Sequence, residues 1–118
     1  MLKALLVATV AAALVAVPAY GKSGAVKLNG ETGPGYSIEV TKAGKDVKTL
    51  KAGTYKLKVE DKSSIHNFHL IGPGVNKKTS LSFTGETTWT VKLKPGKYTY
   101  QCDAHASVGM KGTFKVTR

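Results

Sequence analysis

An all-β Greek-key β-sandwich of seven or eight strands is the fold this sequence predicts, on three observations. Apolar residues recur at every second position along most of the chain, the pattern of strands with one buried face and one solvated face. Glycine and proline interrupt those runs at intervals of about ten residues, as the turns of a two-sheet sandwich do. Beyond the first twenty or so residues, no stretch of useful length repeats its apolar residues at helical spacing.

The runs follow one another in order. Ile38 and Val40 alternate with Glu39 and Thr41, and Tyr55, Leu57 and Val59 alternate with Lys56, Lys58 and Glu60. Leu81 and Phe83 stand between serines, and Trp89, Val91 and Leu93 are separated by Thr90 and Lys92. Tyr98 and Tyr100 flank Thr99, and Phe114 and Val116 flank Lys115. The turn formers between them are Gly33-Pro34-Gly35, Gly44, Gly53, Gly72-Pro73-Gly74, Gly85 and Pro95-Gly96. With 118 residues, the chain has material for one domain and not for two. No internal repeat or low-complexity linker divides it.

Residues 1–19 read as a signal peptide, and residues 20–118 as the folded domain. Lys3 gives a positive start, Ala4 to Val17 form an apolar core broken only by Thr9, and small residues around Ala19 offer a cleavage site. That 14-residue stretch falls short of the roughly 20 apolar residues that cross a bilayer, so the expectation is export rather than a retained anchor. The expected location is extracytoplasmic, in a periplasm or outside the cell, with no membrane span after cleavage.

Composition then excludes several classes. A single cysteine, Cys102, forbids an intrachain disulfide, a four-cysteine iron–sulfur cluster, a cysteine-rich zinc fold and a two-cysteine dinuclear copper centre. Three histidines are too few for two separate His-rich metal centres. No Ser-His-Asp or Cys-His nucleophile pattern is present, and the expectation is a protein that is not an enzyme. In an oxidising compartment the thiol of Cys102 has three outcomes: pairing between chains, deep burial, or capture by a metal.

Two segments hold the residues that carry chemistry. The first is Tyr98-Thr99-Tyr100-Gln101-Cys102-Asp103-Ala104-His105-Ala106-Ser107-Val108-Gly109-Met110-Lys111-Gly112, and the second is Ser64-Ile65-His66-Asn67-Phe68-His69-Leu70. Cys102 keeps the parity of Tyr98 and Tyr100 and so continues their inward face. His105 and Met110 follow at a spacing that lets one loop aim a thiolate, an imidazole and a thioether at one point, and His66 can add a second imidazole. A cysteine, two histidines and a long axial methionine are the donors of a blue-copper electron-transfer site. His69, three residues from His66, points to the opposite face of an extended strand and is expected not to be a ligand.

The Tyr-x-Cys approach, the C-x2-H-x4-M spacing and the Gly-Met-x-Gly ending, here Tyr100, Cys102, His105, Gly109, Met110 and Gly112, resemble the copper loop of the plastocyanin-like cupredoxins. The family's remote His-Asn pair has its counterpart in His66-Asn67. The resemblance implies one type 1 copper per chain, with His66, Cys102, His105 and Met110 as ligands. It gives Asn67 the task of tying the two ligand segments together and helping to tune the sulfur. Ile65 and Ala104 stand where many relatives have proline; neither change removes a donor. Phe68, Ala104, Val108 and Phe114 are expected as the apolar surroundings that set the potential. Ala104, Ala106 and Val108 beside His105 are expected to form a small apolar docking patch through which the electron leaves.

The function that follows is an exported blue copper protein carrying single electrons between redox partners. The alternative is a copper carrier or scavenger of the cell envelope with the same donors and no electron-transfer role. With 18 basic against 7 acidic residues, the net charge of +11 calls for a partner of opposite sign, an acidic redox protein or an anionic surface, met briefly by a monomer. Nucleic acid is not expected, because export removes it from reach and the lysines lack interleaved exposed aromatics.

Overall fold

The structure, a computed structural model, describes residues 25–118; the expected signal peptide, residues 1–19, and residues 20–24 lie outside them. Ten strands follow in the order β1 (Val26–Thr32), β2 (Ile38–Lys42), β3 (Lys45–Asp46), β4 (Thr49–Lys51), β5 (Gly53–Asp61), β6 (His69–Gly72), β7 (Val75–Lys78), β8 (Gly85–Leu93), β9 (Gly96–Gln101) and β10 (Lys111–Thr117). They make two five-stranded sheets, β3-β2-β1-β5-β8 and β4-β10-β9-β6-β7. The β1–β5 and β4–β10 pairs are parallel and the other ladders antiparallel. The result is the expected sandwich. Among the described residues, no helix is long and apolar enough to cross a membrane.

Strand formation follows the alternation. In β5, Tyr55, Leu57, Val59 and Asp61 are buried while Lys56 and Lys58 are exposed, so the strand turns one face inward at every second residue. Leu28, Val40, Leu57, Val59, Val91 and Leu93 of the first sheet meet Leu50, Leu70, Tyr98, Tyr100, Phe114 and Val116 of the second. Removing each such side chain from water contributes roughly 1.5–3 kcal/mol. The aromatic rings stack across β9 and β10, with Tyr98 and Phe114 centroids 5.3 Å apart. Phe68 joins the stack through Tyr100 at 6.1 Å.

Phe68 also explains a strand that alternation alone leaves out. At Gly30 of β1, a Cβ would stand 2.7 Å from Phe68 Cζ, so the inward position is filled by a ring from elsewhere rather than by its own side chain. The apolar beat Val26-Leu28 therefore lapses at Gly30, and the ladders with β2 and β5 reveal β1. β3 and β4, of two and three residues, and β6 and β7, of four each, are too short to show a period; with β1 they bring the five strands read from alternation to ten.

The expected strand around Leu81 and Phe83 is instead a turn. The Phe83 N–H donates to the Ser80 carbonyl at 3.1 Å, and Leu81 is 44% exposed. Its serines favour local hydrogen bonding over a ladder. Likewise His66 does not stand on a strand. It follows a turn at Ser63–Ile65, and β6 begins only at His69.

Candidate metal centre

β9 and β10 meet in a loop whose backbone closes on itself. The His105 N–H donates to the Cys102 carbonyl (3.1 Å), the Met110 N–H to the His105 carbonyl (3.1 Å), and the Cys102 N–H to the Met110 carbonyl (3.1 Å). A single 3-10 turn, Ala106–Val108, fills the middle and ends at Gly109 with φ 104°, a left-handed conformation that a residue with a Cβ adopts only under strain. The loop thus fixes Cys102, His105 and Met110 relative to one another through its own backbone hydrogen bonds. Cys102 and Met110 are buried and His105 is half-buried.

The fourth residue arrives from the other segment. His66 is 1% exposed, and its Nε2 lies 2.6 Å from the Gly35 carbonyl. A carbonyl can only accept, so Nε2 carries the proton and Nδ1 presents its lone pair inward, the orientation that metal-binding histidines take from such partners. His66 Nδ1 lies 3.1 Å from His105 Nδ1, and Cys102 Sγ lies 3.7 Å and 3.5 Å from these two nitrogens. A triangle with those edges has a circumscribed radius of about 2 Å, close to the ~2.0–2.3 Å of metal–imidazole and metal–thiolate bonds. Among the described residues, these three form the one cluster of His, Cys, Asp or Glu drawn close enough to hold an ion. Two imidazoles and a thiolate with a neighbouring thioether form a donor set suited to one copper ion rather than to harder cations.

Asn67 joins the two segments. Its Nδ2 donates to the Thr79 carbonyl (3.1 Å) and to Asp103 Oδ2 (3.0 Å), and its Oδ1 accepts from the Asp103 N–H (2.8 Å). Hence the residue after His66 grips the residue after Cys102. Thr79 completes the clamp by accepting from the Phe68 N–H through Oγ1 and donating its own N–H to the Phe68 carbonyl.

His69 lies outside the cluster. Its Nδ1 meets Asp103 Oδ1 at 2.8 Å and its Nε2 meets Asn76 Oδ1 at 2.6 Å, on the outer face of the second sheet. Burial alone would raise the Asp103 pKa, but the hydrogen bonds from Gln101, His69 and Asn67 and the nearby His69 charge outweigh it and hold this carboxyl at about 2.

Tyr36 had no signal in the sequence beyond its place next to a Gly-Pro-Gly turn. Its ring meets His66 and His105 edge-on, at centroid distances of 5.3 and 4.9 Å, while 65% of the residue stays exposed. It covers both imidazoles from the first-sheet side. Of the apolar surroundings expected from sequence, Phe68 and Phe114 are buried, whereas Val108 is 75% exposed and Ala104 is exposed. Those two belong to the surface beside His105 and do not line the interior.

A family model described as copper binding proteins of the plastocyanin/azurin family matches residues 22–117. Reduced rusticyanin is similar in structure, 24% identical over 81% of this chain and 81% of that one, with a TM-score of 0.60. Rusticyanin from Thiobacillus ferrooxidans is 23% identical, covers 81% of this chain and 79% of its own, and has a TM-score of 0.58. Auracyanin B, 18% identical over 83% and 93% of the two chains, superposes with a TM-score of 0.50. His66, Cys102, His105 and Met110 are arranged as a type 1 copper site on a cupredoxin sandwich, and the chain belongs to the plastocyanin/azurin family of copper-binding proteins.

Proposed function

We propose that this protein is an exported one-electron carrier in which His66, Cys102, His105 and Met110 hold a single type 1 copper. The triangle of Cys102 Sγ and the two Nδ1 atoms carries the reading. Bound copper supplies a one-electron couple. The protein's part is to keep the donors still: the Asn67–Asp103 clamp, the closed Cys102–Met110 loop and the Gly35 carbonyl behind His66 each remove a freedom that would otherwise change with redox state. Burial of Cys102 and His66 excludes water from the donors.

Exit of the electron is assigned to His105, the half-buried donor, which is flanked by Ala104, Ala106 and exposed Val108. Small apolar side chains around one imidazole suit brief docking better than lasting association. Export rests on the N-terminal apolar segment, outside the described residues. A transient acidic redox partner or anionic surface rests on the net charge of +11.

The test is spectroscopic. Copper-loaded, oxidised protein is expected to show intense visible thiolate-to-copper charge transfer and to cycle reversibly at an electrode, and Cys102→Ser is expected to lose the band entirely. A colourless loaded protein would overturn the copper assignment. A coloured protein that surrenders its copper to an acceptor faster than it cycles would instead be a carrier.

A further inference from the structure

The net positive charge is not spread evenly, and its distribution locates an anionic partner away from the metal. Glu39, Glu31, Glu60 and Glu86 are register partners across β2, β1, β5 and β8, one row of carboxylates across four adjacent strands near the metal end. Asp61 closes β5 at that end and Asp103 follows Cys102, so six of the seven acidic residues lie there. Asp46 is the seventh. The metal end is thus the least positive part of a positive molecule.

The opposite end differs in charge and in shape. A groove of about 630 Å³ opens between β3 and β4, with Val47, Leu50 and Tyr55 in its floor and Lys42, Lys45, Lys48 and Lys51 around it. Asp46 is the one acid in its lining, and its 3.8 Å pair with Lys48 joins two well-exposed side chains, an interaction worth little in water. The groove also lies between the outermost strand of each sheet. The free side of β4 therefore offers backbone donors and acceptors that an extended chain can pair with. Thr117, at the far end of β10, lines the groove; Lys111, at the metal end, lies six residues away, roughly 20 Å at ~3.3 Å per residue.

We propose that this groove docks an extended acidic segment of a partner polypeptide, with apolar side chains toward Val47, Leu50 and Tyr55 and carboxylates toward the four lysines. The concave shape and edge-strand border fit a peptide; a flat anionic membrane would call for lysines on a convex face. A partner held here leaves His105 free, so the protein can be retained by one protein while exchanging electrons with another. The proposal stands whether or not the metal is copper.

Titration of the intact protein with a short synthetic peptide alternating Glu and Leu, followed by amide resonances, tests it. Shifts are expected at residues 45–51 and 115–117 and not at 104–108. The Lys45→Glu, Lys48→Glu double variant is expected to weaken binding at least about tenfold with its visible spectrum unchanged. Shifts centred on 104–108, unchanged binding by the double variant, or tighter association with phosphatidylglycerol vesicles than with the peptide would overturn it. Self-association of the free protein through the same residues would also overturn it, by making a second copy the occupant.

Discussion

The two walls of the metal end are closed by different means. On the second-sheet side, Asn67, Asp103, His69, Gln101 and Thr79 share matched hydrogen bonds from ligand segment to ligand segment. On the first-sheet side, Asp61 and Thr32 are register partners at the ends of β5 and β1, and their Oδ2 and Oγ1 are buried without a hydrogen-bond partner. Apart from the bond from His66 Nε2–H to the Gly35 carbonyl, that wall is closed by packing: Phe68 against Gly30 and Tyr36 across the two imidazoles. The polar wall fixes positions, because each bond has a direction. The packed wall covers and excludes water, with two buried polar atoms left unbonded at its base.

Breaking the polar wall is expected to have the largest effect. Asn67→Ala strips partners from the Asp103 N–H, the Thr79 carbonyl and one Asp103 oxygen together. Losing three hydrogen bonds, one buried and two partly buried, one of them to a carboxylate, costs about 3 kcal/mol. Loosening a residue that orients ligands lowers metal affinity by about 10–100-fold. Urea unfolding and copper competition measure the two effects; a variant that unfolds and binds copper as the parent does would show that the clamp is ornamental.

The same contrast explains what the sequence makes legible. Cys102, His105 and Met110 lie within one closed loop, so their spacing alone states their relation, and the inward parity of Tyr98 and Tyr100 extends to Cys102. Asn67 is adjacent to His66 and is readable as its companion. Tyr36 is not readable, because its place over His66, thirty residues on, depends on the non-local parallel pairing of β1 with β5. β1 itself is masked by Gly30, whose missing side chain is supplied in space by Phe68. The serines around Leu81 mimic a two-residue period without burying either apolar side chain. His69 has the residue type of a ligand, and only its pairing with Asp103 and Asn76 shows what it does instead.

Burial pushes the Asp61 carboxyl above its ordinary 3.8, against the opposing pull of the Ser63 N–H and His66. The native state therefore keeps this proton where the unfolded chain has lost it, and stability contributed by Asp61 rises as pH falls from neutral through the raised value. Asp103, held at about 2, acts with the opposite sign: its contribution is present above 3.8 and disappears between about pH 4 and pH 2. Asp61→Asn removes the first effect alone. It is expected to raise stability at pH 7 by about 1 kcal/mol, since a buried carboxylate with an unbonded oxygen is replaced by a neutral amide. The gain is expected to shrink as pH falls toward 4, while the steep acid loss below 4 stays. A destabilised variant at pH 7 would mean that Asp61 has a partner that the unbonded oxygen conceals.

The smallest expected change in stability comes from the cover. Tyr36 is largely exposed, and edge-on contacts between rings contribute only about 0.5–1.5 kcal/mol, so Tyr36→Ala is expected to lower stability by less than about 1 kcal/mol. Its effect on access is expected to be larger, because the ring spans both His66 and His105 from the side where the ligands have only the bond from His66 Nε2–H to the Gly35 carbonyl. Copper release to a chelator, followed by loss of the visible band, is expected to accelerate in Tyr36→Ala and to stay at the parent rate in Tyr36→Phe, which keeps the ring. If both variants release copper at the parent rate, the packed wall excludes nothing, and the polar wall alone retains the ion.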